Sequence, residues 1–226
     1  MAALPRAEYT RLRAQMEPIR PRMKSVLYEQ GGPIEHVYFP EGGVFSHMIQ
    51  MADGSVVEVG TIGSEGMIGL SAFLNASASH TTVLCQIAGR ALRMSTDVFR
   101  GEVTPATRLH TLLHRYGEAF MTYLAQAVAC NAVHSAPARC ARWLLMMHDR
   151  VGGDEFPLTQ DFLSKMLGVR RATISAIAQE LQAAGMIHYA QGRITIENRA
   201  ALETITCECY AVVRREFDRM VGSPRG

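Results

Sequence analysis

The stretch from Leu158 to Ile187, LTQDFLSKMLGVRRATISAIAQELQAAGMI, most constrains what this chain can fold into. Leu158, Phe162, Leu163, Met166 and Leu167 recur at helical spacing; Gly168-Val169 interrupts them, and Ile174, Ile177, Ala178 and Leu181 resume the pattern. Two short amphipathic helices joined by a tight turn that starts with glycine form a helix-turn-helix. Thr159 can cap the first helix, its hydroxyl accepting from a free backbone N–H. Gly185 can end the second in a left-handed cap. The second helix opens on Arg170, Arg171, Ala172, Thr173 and Ser175. These are small, polar or basic, as suits a helix that enters the major groove by its N-terminal end. Arginine can pair bidentately with guanine, and Thr and Ser can reach phosphates. An ordinary αα-hairpin with a solvated arginine pair is the competing reading of this stretch alone.

The next residues favour DNA. Met186-Ile187-His188-Tyr189 reads as a strand, Ala190-Gln191-Gly192 as a turn and Arg193-Ile194-Thr195-Ile196 as the returning strand. A hairpin after the second helix makes a winged helix, with Gln191 and Arg193 near its tip. The hairpin can touch the DNA backbone or simply close the domain.

The chain has 226 residues, 48% of them apolar, enough for two small domains or one large one with a proper core. A net charge of +2 excludes a polybasic nucleic-acid coat, so DNA affinity must come from a local patch. No apolar run approaches the ~20 residues that span a bilayer. The N-terminus, MAALPRAEYTRLRAQ, is charged and lacks the apolar core of a signal peptide. A cytoplasmic protein with no membrane partner is expected. Five cysteines, an odd number without an export signal, indicate reduced thiols.

Residues 4 to 17 can form a short helix, ended by Pro18 and Pro21. From about Val26 to Met94, β-rich runs alternate with turn signals such as Gly31-Gly32-Pro33, Pro40-Glu41-Gly42-Gly43 and Asp53-Gly54. Many short strands between Gly-rich turns indicate a sandwich or jelly roll. Thr104-Pro105 reads as a capped start to a helix reaching about His134. On it Leu109, Leu113, Tyr116, Phe120, Tyr123, Ala127 and Cys130 alternate in steps of four and three, a heptad seam. A helix this long between two domains usually packs on another copy of itself, though its own jelly roll is the other possible partner. A twofold dimer suits paired recognition helices. Ser135 caps a further helix to about Val151, Gly152-Gly153-Asp154 links it to the helix-turn-helix, and Asn198 caps a last helix through Leu202, Ile205, Cys209, Val212 and Phe217. The fold class is α+β, in three parts: a jelly-roll sensor over 1–104, a dimerisation helix over 105–134 and a winged-helix DNA-binding domain over 135–226.

This order of parts, the helix-turn-helix and the Gly-rich run Gly63-Ser64-Glu65-Gly66-Met67-Ile68-Gly69-Leu70 together resemble the Crp/Fnr family of bacterial regulators, over nearly the whole chain. LYEQGGPIEHVYFP and LTQDFLSKMLGVRRATIS are similar to a large subgroup within it. The resemblance implies a homodimeric transcription factor on palindromic double-stranded DNA, gated by a signal at the jelly roll, with RNA polymerase as a further partner. It implies phosphate contacts from Thr159 and Thr173 and guanine readout by Arg171. Ala172 and Ala176 stand where the family has a glutamate and an arginine, so the operator should differ from those of the namesakes. Arg170 and Ser175 can replace part of the lost readout. The Gly63–Gly69 run is similar to the turn where cyclic nucleotide sits. Leu70 stands where the family has the ribose-binding carboxylate, His80-Thr81 where it has the phosphate-binding Arg-Ser, and Leu124-Ala125 where the purine is met. A bidentate guanidinium matches a phosphate and imidazole does not. Ordinary cyclic-AMP or cyclic-GMP binding is therefore not expected; the Gly-rich turn can instead accept a different anion or a small apolar effector of unknown identity, and a regulator that needs no small ligand is the further reading.

Other chemistries fit less well. The first cysteine is Cys85, so the N-terminal cysteine cluster of an iron–sulfur centre is missing. His80 and Cys85 lie in a plausible region for haem ligands, but such residues are usually structural. His110 and His114 stand four apart without a third ligand nearby in sequence, and Cys207 and Cys209, two apart on a helix, point to different faces. No metal site is expected. Cys130, on the seam, could cross-link two protomers under oxidation. The rival from another class is a cupin-like jelly-roll enzyme or binding protein using His36, His47 and Glu58, which leaves the helix-turn-helix unexplained. No catalytic residue is expected.

Overall fold

The computed structural model describes residues 3–221. Helix α1 (Arg6–Ala14) precedes strands β1 (Glu17–Ile19), β2 (Val26–Tyr28), β3 (His36–Pro40), β4 (Val44–Gln50) and β5 (Val56–Ile62). A short α2 (Leu70–Phe73), β6 (Thr82–Ile87), β7 (Ala91–Ser95) and α3 (Thr96–Glu102) complete the first half. Two antiparallel sheets, ordered β1-β7-β3 and β2-β6-β4-β5, bury Phe39, Phe45, Val83, Cys85, Leu92 and Met94 as one core. Asp53-Gly54 turns the β4–β5 hairpin, with Gly54 at φ +83°, a conformation glycine adopts at no steric cost. The expected helix over 4–17 stops at Ala14, because Pro18 lies opposite Leu92 in the β1–β7 pairing and so belongs to a sheet edge.

Helix α4 (Arg108–Val133) starts later than Thr104-Pro105 suggested. Residues 104–107 form a turn, and the Thr107 hydroxyl caps the helix by accepting from the backbone N–H of His110 at 3.2 Å. Glu8 of α1 receives the N–H groups of Arg108 and Leu109 at 3.1 and 2.8 Å, so a distant carboxylate satisfies two free donors. Local sequence could not reveal that partner. Helix α5 (Ala136–Val151) begins at its expected cap, Ser135, and ends at Gly152 with φ +74°.

The C-terminal part contains β8 (Glu155–Pro157), α6 (Gln160–Leu167), α7 (Arg171–Ala183), β9 (Ile187–Ala190) and β10 (Arg193–Ile196). Strand β8, too short to recognise in sequence, adds a third strand to the wing in the order β8-β10-β9. The expected last helix is two: α8 (Arg199–Ile205), capped by Asn198, and α9 (Cys209–Val221), with Thr206-Cys207-Glu208 between them. No helix among the described residues is long and apolar enough to cross a membrane.

Candidate nucleic-acid interface

Helices α6 and α7 are set by capping and by a small apolar core. The Thr159 hydroxyl accepts from the N–H of Phe162 at 3.2 Å. Gly168 takes φ +62° and lets the N–H of Val169 reach the carbonyl of Ser164 at 3.0 Å, which closes α6. Leu163, Met166, Leu167, Ile174, Ile177 and Leu181 are buried between the helices and the wing. That burial turns the first residues of α7 outward. Arg170, Arg171, Ala172, Thr173 and Ala176 lie on its outer side, all five exposed. Neither arginine side chain makes a hydrogen bond or ion pair among the described residues, and Arg170 leaves the N-terminus of α7 without a side-chain cap. Two free guanidiniums beside the positive end of a helix form a site for a polyanion.

Two expected contributors are otherwise engaged. Ser175 donates to Gln160 Oε1 at 2.7 Å, so its hydroxyl ties α7 to α6 instead of facing outward. Arg193 lies in β10 paired with Glu155 of β8, which offsets its charge, and Gln191, at φ +50°, is an exposed residue of the wing turn. Sequence reasoning missed Arg139, which donates to the Leu167 carbonyl at 3.1 Å and to Asn131 at 3.0 Å, joining the ends of α6 and α4.

The DNA-binding part rests on the jelly roll through polar bonds not visible in sequence. Arg150 of α5 pairs with Glu65 at 2.8 Å, with only 7% and 10% of the two side chains exposed. Glu65 also accepts from the Gly63 N–H at 3.0 Å. Trp143 donates to Glu58 of β5 at 3.0 Å, while Glu58 Oε2 is buried without a partner. Burial pushes the Glu58 carboxyl up to about 7, against the hydrogen bond from Trp143 and the charges of Arg150 and Arg142. The folded protein therefore holds a proton that the unfolded chain gives up near its ordinary value of 4.5, and stability falls as pH rises between the two values. Glu58→Gln keeps an acceptor for Trp143 and should remove that fall. In denaturant unfolding the variant should gain roughly 2–3 kcal/mol on wild type between pH 4 and pH 8. A difference that does not change with pH would show that Glu58 does not titrate in this window.

The expected effector residues have the following surroundings. A Cβ on Gly63 would meet Arg150 at 2.8 Å, and Gly69, at φ +99°, packs beneath the Tyr28 hydroxyl, so the Gly-rich turn is filled by protein. Leu70 starts α2 against the core and His80 is exposed. Thr81 instead bonds His47 at 2.9 Å. The His47 ring faces Phe120 at 5.9 Å, and Leu124 and Tyr123 crowd the neighbouring Gly60. Burial holds the His47 imidazole down to about 4, so it is neutral, and its Nε2 is buried with no partner. This wall between β4 and α4 is uncharged. The cupin-like set does not form: His36, His47 and Glu58 make no common group among the described residues. His110 and His114 meet each other and Phe73 edge to face.

The seam on α4 requires correction. Leu109, Leu113, Tyr116 and Tyr123 are 3–4% exposed within the single chain. Tyr116 donates to the Met67 carbonyl at 3.1 Å, the Tyr123 hydroxyl accepts from the Thr61 N–H at 3.1 Å, and both rings pack on Phe217 of α9. Phe120 and Ala127 are half-buried on the same side. The aromatic hydroxyls need polar partners, and the sheet supplies them. The face left open carries Met121, Ala125, Val128 and Ala132, themselves in steps of four, three and four, with Met121 66% and Val128 72% exposed. Cys130 is wholly buried, out of reach of a cross-link. Cys207 and Cys209 do not share a helix, because the chain breaks at Thr206.

Residues 20–103 match the cyclic nucleotide-binding domain and residues 138–205 the Crp-like helix-turn-helix domain. No curated protein matches the chain. Among solved structures it is similar to FixK2 from Bradyrhizobium japonicum, with TM-score 0.71 and 17% identity over 85% of this chain and 98% of that one. It is also similar to two regulators of the CRP and CRP/FNR families from Thermus thermophilus. TTHB099 gives TM-score 0.69 and 20% identity over 83% and 95% of the two chains. TTHA1359 gives 0.67 and 17% over 84% and 97%. At these identities the likeness shows the fold. With a cyclic nucleotide-binding domain and a Crp-like helix-turn-helix domain joined in this order through α4, the chain belongs to the Crp/Fnr family of transcriptional regulators.

Proposed function

We propose that this chain is a homodimeric, sequence-specific DNA-binding regulator of the cytoplasm, without catalytic activity, whose jelly roll answers to a small effector other than cyclic AMP or cyclic GMP. The observation that carries the reading is the unpaired Arg170-Arg171 pair at the N-terminus of α7. Arg171 is the principal base contact, Arg170 and Thr173 support it, and Thr159 reaches phosphate beside its capping role. The exposed stripe on α4 fits a second copy, which sets two recognition helices on a palindrome. The neutral wall of His47, Thr81, Phe120 and Leu124 lacks the guanidinium that a cyclic phosphate requires, and it favours a weakly polar ligand. RNA polymerase is the further partner for such a regulator. Arg171→Ala should weaken operator binding by about 1–3 kcal/mol and relax preference at one base pair, with affinity falling steeply as salt rises. A variant that binds operator and random DNA as wild type does would overturn the assignment.

A further inference from the structure

Three cysteines and a histidine from opposite ends of the second half converge at one point. Cys130 and His134 stand one turn apart at the end of α4, on one face of the helix. Cys207 and Cys209 flank the break between α8 and α9. One ligand atom from each residue lies within 4.8 Å of every other. The sulfurs of Cys130 and Cys207 are 3.5 Å apart, and Cys209 Sγ is 3.5 Å from His134 Nδ1. A tetrahedral zinc ion with bonds of ~2.3 Å to sulfur and ~2.0 Å to nitrogen puts its ligand atoms about 3.5–3.8 Å from one another. The 3.5 Å sulfur separation is far too long for a disulfide, whose S–S bond is ~2.05 Å.

The surroundings match a metal centre better than a hydrophobic patch. The three cysteines form a cluster separate from the main core, with only Ala138 packed on it among the described apolar residues. His134 Nε2 meets Glu208 at 3.2 Å, the carboxylate partner that fixes a metal-bound imidazole with its other nitrogen free to ligate. Gln126 donates to Cys209 Sγ at 3.0 Å, as amides do to a ligating thiolate. Arg142, only 6% exposed, donates to the Met146 thioether, makes no ion pair among the described residues, and lies where its charge favours a Cys130 thiolate as well as the Glu58 carboxylate. A buried guanidinium needs a counter-charge, and three thiolates around a divalent ion carry one net negative charge.

We propose that Cys130, His134, Cys207 and Cys209 bind one zinc ion, a closed structural site that fastens the end of α4 to the junction between α8 and α9. Three thiolates with one imidazole select a soft or borderline ion, and four protein ligands leave no position open for catalysis. The ion would hold the DNA-binding part to the helix that carries the exposed apolar face.

The test uses the full chain, purified under reducing conditions without chelator, with metal content measured by mass spectrometry. One zinc per chain is expected, retained in Cys85→Ser and Cys140→Ser and lost in Cys207→Ser and His134→Ala. Glu208→Gln changes an exposed side chain that touches the imidazole. It should leave the fold intact and lower zinc affinity about 10-fold or more in competition with a chelator. Cobalt(II) added to the metal-free wild type should give thiolate-to-cobalt charge transfer and tetrahedral d–d bands. That readout stands even if the cysteine variants fail to fold. A reduced protein that takes up neither zinc nor cobalt at stoichiometric concentration would overturn the proposal. So would zinc retained in all the ligand variants, or a Cys130–Cys207 disulfide in the protein purified under reductant.

Discussion

Glu65→Ala should destabilise the protein by about 3–5 kcal/mol, the cost of leaving one member of a buried ion pair without its partner. Both side chains are nearly inaccessible, and with Glu65 gone Arg150 retains its hydrogen bond to the Met146 carbonyl at 3.0 Å and the charge of Asp149 but loses its buried carboxylate partner. Gly63 also loses the acceptor for its N–H. Replacing both members with apolar side chains, Glu65→Leu with Arg150→Met, should recover most of that loss, because no charge is then left buried. Denaturant midpoints of the single and double variants decide it. A single variant within about 1 kcal/mol of wild type would mean that water reaches the pair. The pair lies where the Gly-rich turn meets α5, so the loss should fall on the docking of the DNA-binding part as well as on global stability.

Val128→Asp should abolish the dimer and with it tight operator binding. The side chain is 72% exposed and central to the open stripe. In a twofold assembly each Asp would face an apolar surface and its own copy, which costs several kcal/mol. Sedimentation should show a monomer at micromolar concentration, and operator affinity should drop ~100-fold or more, since about 3 kcal/mol of second-half-site binding is lost. Leu113→Ala provides the contrast. Its side chain is buried inside the chain, so it should lose about 2–5 kcal/mol of stability while a folded fraction still dimerises. The reverse pattern would return the interface to the aromatic seam.

The helix-turn-helix, its Thr159 cap and the outward arginines were legible in the sequence because they depend on residues within a few positions of one another. The jelly roll followed from turn chemistry at Asp53-Gly54 and the runs around it. On α4, however, two apolar stripes share one helix, both in steps of three and four. The bulkier one has the spacing of a dimer seam, yet its tyrosines find hydrogen-bond partners at Met67 and Thr61, far off in sequence. The same holds for Glu8 at the start of α4, for Glu65 with Arg150, and for the cysteines. Cys207 and Cys209 look like a poor pair only while α8 and α9 are taken as one helix. The break at Thr206 turns both toward Cys130, 77 residues from Cys207. Ser175 shows the opposite error, a residue of the right type at the right spacing whose hydroxyl is held inward by Gln160.

The most direct test of the central claim is selection from random double-stranded DNA with the purified full chain at near-physiological salt, alone and with cyclic AMP or cyclic GMP. The enriched site should be a palindrome of two half-sites about one helical turn apart, and neither nucleotide should change its enrichment. A site enriched only when a nucleotide is present would contradict the reading of the neutral His47 wall. Enrichment of a single half-site would contradict the dimer. No enrichment with any of the three, from a protein that is folded and dimeric, would contradict the assignment of Arg170 and Arg171 to DNA.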